Sequence, residues 1–79
     1  MEDWNEAIFG IIKNYNNSNV ELKEIYQIMK KHRLVTEYHH QPWKPGGQPR
    51  YECWIRRCLT NLIRTNRIKR VSRALYALK

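Results

Sequence analysis

Three features of this 79-residue sequence predict a helix-dominated α+β fold, three helices followed by a C-terminal β-hairpin. Apolar residues recur at three- and four-residue spacing in three separate segments, the pattern of helices with one buried face. The end of the chain switches to two short runs of strand-forming residues around a tight turn. The longest helical segment carries arginines opposite its apolar stripe and runs directly into that basic hairpin. This order is that of a winged helix-turn-helix, a single domain over residues 1–79.

The first helix is expected over about Trp4 to Asn14. Trp4, Ala7, Ile8, Ile11, Ile12 and Tyr15 trace its apolar stripe, and Asp3 and Glu6 have the spacing of a capping box with Asp3 as the cap. Asn14, Asn16, Asn17, Ser18 and Asn19 follow as a polar turn. Val20 then supplies a short strand to pair with the hairpin. The second helix is expected over about Glu21 to His32. Leu22, Ile25, Tyr26 and Met29 turn inward there, and Lys23, Lys30 and Lys31 are left for solvent or a DNA backbone.

Residues 33–48 form a long connection carrying Pro42, Pro45, Gly46 and Gly47, in which no regular structure is expected. Connections of this length are often functional or mobile, and this one offers Tyr38, His39, His40, Trp43 and Lys44. Trp43 has two readings: a large aromatic that caps the core, or a side chain that contacts DNA.

The third helix is expected at about 49–66. Pro49 suits a first helical position, where its missing amide hydrogen would be unpaired anyway. Asn66 suits the end, because Asn tolerates the left-handed conformation that stops helices. Tyr51, Ile55, Cys58, Leu59 and Leu62 form the core face. The opposite face carries Arg50, Cys53, Arg57, Thr60, Asn61 and Arg64, flanked by Trp54 and Arg56. Within the wing, about 67–79, strands Ile68 to Val71 and Leu75 to Leu78 are separated by Ser72, Arg73 and Ala74. Lys69, Arg70 and Arg73 are its cations.

Charge is distributed unevenly. Residues 1–37 hold five Lys/Arg against six Asp/Glu, net −1, whereas residues 38–79 hold ten against one, net +9. Such polarity is the footprint of a surface that meets phosphates, with anionic lipid and acidic proteins as other possible targets. No expected helix joins a strongly basic face to a free apolar one, so a membrane partner is not expected.

A chain this short buries only about 60–65% of its unfolded surface, and its two cysteines do not staple it. Cys53 and Cys58 share a helix, about 7.5 Å apart along its axis, beyond disulfide reach. Free thiols, no secretory signal pattern and no apolar run of about 18 residues point to a soluble protein of a reducing compartment, the cytoplasm with its nucleoid. His32, His39 and His40 with the two cysteines raise the question of zinc. The cysteines point about 140° apart, and no recognised ligand spacing appears. Cys53 has arginines nearby but no evident base held against it. Without paired carboxylates, a Gly-rich phosphate loop or a Ser-centred motif, neither an enzyme nor a metal or other cofactor is expected.

The run Pro49-Arg50-Tyr51-Glu52, then Ile55-Arg56-Arg57, Leu59 and Leu62, and the ending Ile68 to Leu78 resemble winged-helix modules of bacterial restriction systems. The pattern is similar to the amino-terminal domain of Mrr-type proteins and to winged helices of methyl-directed restriction endonucleases. Glu24-Ile25-Tyr26 is similar to the second helix of a helix-turn-helix module in eukaryotic chromatin proteins. The resemblance implies binding of double-stranded DNA, the third helix entering the major groove and the wing touching backbone or minor groove. It casts Arg50, Arg57, Thr60, Asn61 and Arg64 as helix contacts, with Lys69, Arg70 and Arg73 in the wing. It also implies a nuclease or regulatory partner, fused or separate, as in a restriction or transcription-regulating protein. Ala74 departs from the pattern, which has Gly after the wing arginine, so a turn needing a positive backbone angle there is strained. Two alternatives remain open: a protein-interaction module on the same scaffold, and recognition of a modified base, which rests on family analogy alone.

Overall fold

A computed structural model of the chain describes residues 3–15 and 19–79. Helix α1, Trp4–Asn14, begins where Asp3 leaves the helical region (φ −111°) and its carboxylate accepts the Glu6 amide at 2.8 Å. This is half of the expected capping box. The Glu6 carboxylate instead accepts from the Arg67 guanidinium through both oxygens, at 2.7 and 3.3 Å, because a bidentate charged partner outcompetes a single amide. Of the expected polar turn, Asn16, Asn17 and Ser18 lie outside the described residues.

Strand β1, Val20–Glu21, leads directly into α2, Leu22–Lys30. That helix stops two residues short of the expected His32, where the His32 ring accepts the Leu34 amide at 3.2 Å and turns the chain away. The connection expected to be irregular contains a single helical turn, α3, Glu37–His40, so the described residues hold four helices rather than three. Nδ1 of His39 accepts the Thr36 amide at 3.0 Å, filling the role that Glu or Gln plays in a capping box. The rest of the connection is tied back at Pro42↔Pro49 and by the Arg50 amide donating to the Gln41 carbonyl at 2.9 Å.

Helix α4, Arg50–Arg64, has Pro49 as its N-cap. It ends in a Schellman motif: the Asn66 amide donates to the Ile63 carbonyl and the Arg67 amide to the Leu62 carbonyl, both at 3.0 Å. Asn66 adopts φ 63°, the left-handed conformation anticipated for it. Strands β2, Ile68–Ser72, and β3, Leu75–Leu78, follow as a hairpin. β3 lies at the centre of a three-stranded antiparallel sheet ordered β1-β3-β2, with Val20 opposite Tyr76 and Arg70 opposite Tyr76 on the other side.

The three longer helices and this sheet enclose one core. Ile8, Ile25, Met29, Ile55, Leu59, Leu62, Ile68 and Val20 are its largest fully buried side chains. They come from every element except α3 and β3. α4 lies across both α1 and α2, so its inner face, Ile55, Cys58, Leu59 and Leu62, fills the middle of the molecule and its outer face is left to solvent. No helix of the described residues is long and apolar enough to cross a membrane.

Candidate functional site

The hairpin folds back beside α4, and the register decides which of its cations face the helix. Side chains alternate between sheet faces. Arg70, opposite Tyr76, shares the face of buried Ile68, whereas Lys69, opposite Ala77, lies on the other face. A register shift between Arg70 and Ser72 then rotates the turn. Arg70 and Arg73 thereby line a groove of about 500 Å³ together with Arg56 and Thr60 of α4 and Tyr26 of α2. Arg70 is steadied by its Nε donating to the Ser72 carbonyl at 3.4 Å. Thr60 donates its hydroxyl to the Arg56 carbonyl at 3.1 Å, which leaves its oxygen free to accept. No acidic residue lines the groove. Burial pushes the Tyr26 phenol above its ordinary range, with Arg56 pulling the other way, so Tyr26 stays a neutral hydroxyl at the groove wall.

Beyond the groove, Arg57 and Arg64 are exposed on α4 and Asn61 is partly buried beside them. These three extend a cationic, hydrogen-bonding strip along the helix. Arg50 departs from the set. Its guanidinium carbon packs 4.5 Å from the Tyr38 ring centroid and 5.4 Å from that of Trp43, and its Nε is buried without a hydrogen-bond partner. Cation–π contact holds this arginine against the α3 connection. Lys69 also stands apart, on the far face of the sheet. Arg56, which the helical wheel put on a flank, enters the groove; it lies one turn before Thr60, and that spacing was the available signal.

At the other end of α4 the rings form a cluster. Trp4 and Trp54 stack at 5.8 Å with 23° between planes, and His39 packs edge-on to Trp54 at 4.6 Å. Burial, with His40 adding a like charge, lowers the His39 pKa, in keeping with an Nδ1 that accepts a hydrogen bond and so cannot carry the proton. Trp43 does not cap the core: it is 54% exposed, held on a loop in which the Gly47 amide closes onto the Lys44 carbonyl at 2.9 Å. The loop's own backbone bonds keep the indole outside. Cys58 is a small core residue whose thiol is pushed up to about 11 by burial, which makes it unreactive. Cys53 lies against the Gln48 side chain at 3.8 Å. Among the described residues no group of three His, Cys, Asp or Glu is gathered to hold a metal ion.

Comparison with protein-family models, with curated proteins and with solved structures finds no match to this chain. The functional reading therefore rests on the groove and the strip beside it.

Proposed function

We propose that the chain is a winged helix-turn-helix module that binds double-stranded DNA, α4 entering the major groove and the β2–β3 hairpin acting as the wing. One observation carries the reading: arginines from α4 and from the hairpin, far apart in sequence, converge with Thr60 on a groove that no acidic side chain lines. Like charges gather at an energetic cost unless an anion offsets it, and a polyphosphate backbone is such an anion. Arg56, Arg70 and Arg73 contact phosphates. Arg57, Asn61 and Arg64 are aimed along the helix, where a guanidinium can pair with guanine O6 and N7 and an Asn amide with adenine.

Mutants separate these roles. Arg73→Ala weakens binding to all duplex sequences alike and flattens the salt dependence by about one unit, whereas Arg57→Ala or Asn61→Ala relaxes preference at one base position by about 1–3 kcal/mol. Duplex binding by Arg57→Ala and Arg73→Ala that matches wild type would leave the groove to an acidic protein partner instead.

A further inference from the structure

The Trp43 and Trp54 indoles line one small cleft, with centroids 6.4 Å apart and planes tilted by 35°. A flat ring stacked on both sides needs about 6.8 Å, twice the roughly 3.4 Å spacing of stacked bases. The two indoles, at 6.4 Å between centroids and tilted, therefore form a wedge that is open at one edge and must widen to sandwich a ring fully. The cleft between them, about 50 Å³ and edged by Cys53 and Arg57, has room for about three to five waters at roughly 10–15 Å³ each. At about 30 Å³ of liquid per water, this matches a single-ring heterocycle better than a fused one.

Two classes of ligand suit facing aromatic rings, a cation and a flat base. Charge decides between them. Arg57 edges the cleft, and Arg50 already lies against the Trp43 ring. A second cation is repelled there, whereas a base brings its own phosphate toward Arg57. Trp54 is fixed by its stack on Trp4. Trp43 and Tyr38, 54% and 52% exposed, are large aromatics presented to solvent on a connection that backbone bonds hold closed. The cleft is edged by Arg57, so it adjoins the Arg57–Arg64 strip on which the duplex-binding reading lays DNA.

We propose that the Trp43/Trp54 cleft stacks one unpaired base, a pyrimidine by preference, at a bulge or at a junction between duplex and single strand. The proposal rests on the duplex-binding reading and narrows its target class. The base slides between the indoles, its phosphate lies in the field of the arginines around the cleft, and the bound duplex continues along α4.

The test compares a blunt duplex with the same duplex carrying one unpaired thymidine, followed by fluorescence anisotropy and by quenching of indole emission. Wild-type protein is expected to prefer the bulged duplex by about 5- to 150-fold, the ratio that one stacked base supplies, with quenching on the bulged duplex. Trp43→Ala is expected to abolish the preference while leaving blunt-duplex affinity within about twofold. Trp43→Phe retains part of it, and thermal melts of both variants register any loss of fold. Equal wild-type affinity for the two duplexes overturns the cleft while leaving duplex binding intact, as does a preference that survives Trp43→Ala. If neither duplex binds at low salt but short oligothymidine quenches wild type and not Trp43→Ala, the cleft stands and the duplex reading falls.

Discussion

At Ala74 the hairpin turn holds a side chain in the left-handed region, φ 59°, while the Ala74 carbonyl accepts the Leu22 amide at 2.9 Å. That bond ties the turn to the start of α2, so the backbone cannot relax without releasing it. The conformation costs an L-residue roughly 1–2 kcal/mol, of which the greater freedom of unfolded Gly would return roughly 0.5–1 kcal/mol. Ala74→Gly is expected to stabilise the protein by about 0.5–1 kcal/mol, raising Tm by about 2–8 °C; an unchanged or lower Tm would remove strain from the account. His39 gives a second test. Its pKa is lowered in the fold, so the neutral ring contributes stability that is complete above the ordinary value of about 6.5 and is lost as pH falls through the folded value. Acidification through the folded value, which lies below the ordinary value of about 6.5, should unseat His39 from the Thr36 amide and change the emission of the adjoining Trp54. His39→Gln keeps an acceptor at that helix position and should abolish the pH response; a response that persists would assign it to another group.

Among the elements, α4 has the largest share of the core and its mutants should be the most damaging. Ile55→Ala and Leu59→Ala, at positions 0% and 1% exposed, are expected to cost roughly 2–5 kcal/mol each, and wild-type melting curves for both would mean that the buried face is misassigned. Glu6 and Arg67, 61 residues apart in sequence, tie α1 to the turn between α4 and β2, with the guanidinium also 4.1 Å over the Phe9 ring. Arg67 holds the Glu6 carboxyl below its ordinary range, so this pair contributes above about pH 4.3 and the contribution is lost as pH falls through the folded value. Glu6→Gln should flatten the acid limb of a Tm–pH profile, and an unchanged limb would show the pair to be inert. Neither this pair nor α3 was legible in the sequence. Pairing across such a separation leaves no local pattern, and four residues are too few for a helical period, the more so when a His ring stands in the Glu place of the capping box. The bounds of α1, the Asn66 stop and both hairpin strands were legible because local physics sets them: a carboxylate cap, a left-handed Asn, and β-prone runs around a short turn. Of the candidate site, the exposed faces of Arg57, Thr60 and Arg64 followed from helical phase alone. The inward turn of Arg50 and the separation of Lys69 from Arg70 did not, because tertiary ring contacts and strand register decide them.

Over the whole molecule, the polarity of charge becomes a polarity of surface. The net +9 of residues 38–79 is carried largely by α4 and the hairpin, and the acidic Glu6 near the amino terminus is drawn into a structural tie with Arg67 and leaves the groove cationic. With Arg56, Arg70 and Arg73 lining the groove and Arg57 and Arg64 beside it, about three to five phosphates should be neutralised on binding. Duplex binding is tested most simply by the affinity of the wild-type protein for a short duplex as a function of salt. A linear fall of log affinity against log salt with a slope of about −2.7 to −4.5 is expected, from roughly 0.9 per phosphate. No duplex binding at low salt, or an affinity indifferent to salt, would contradict it.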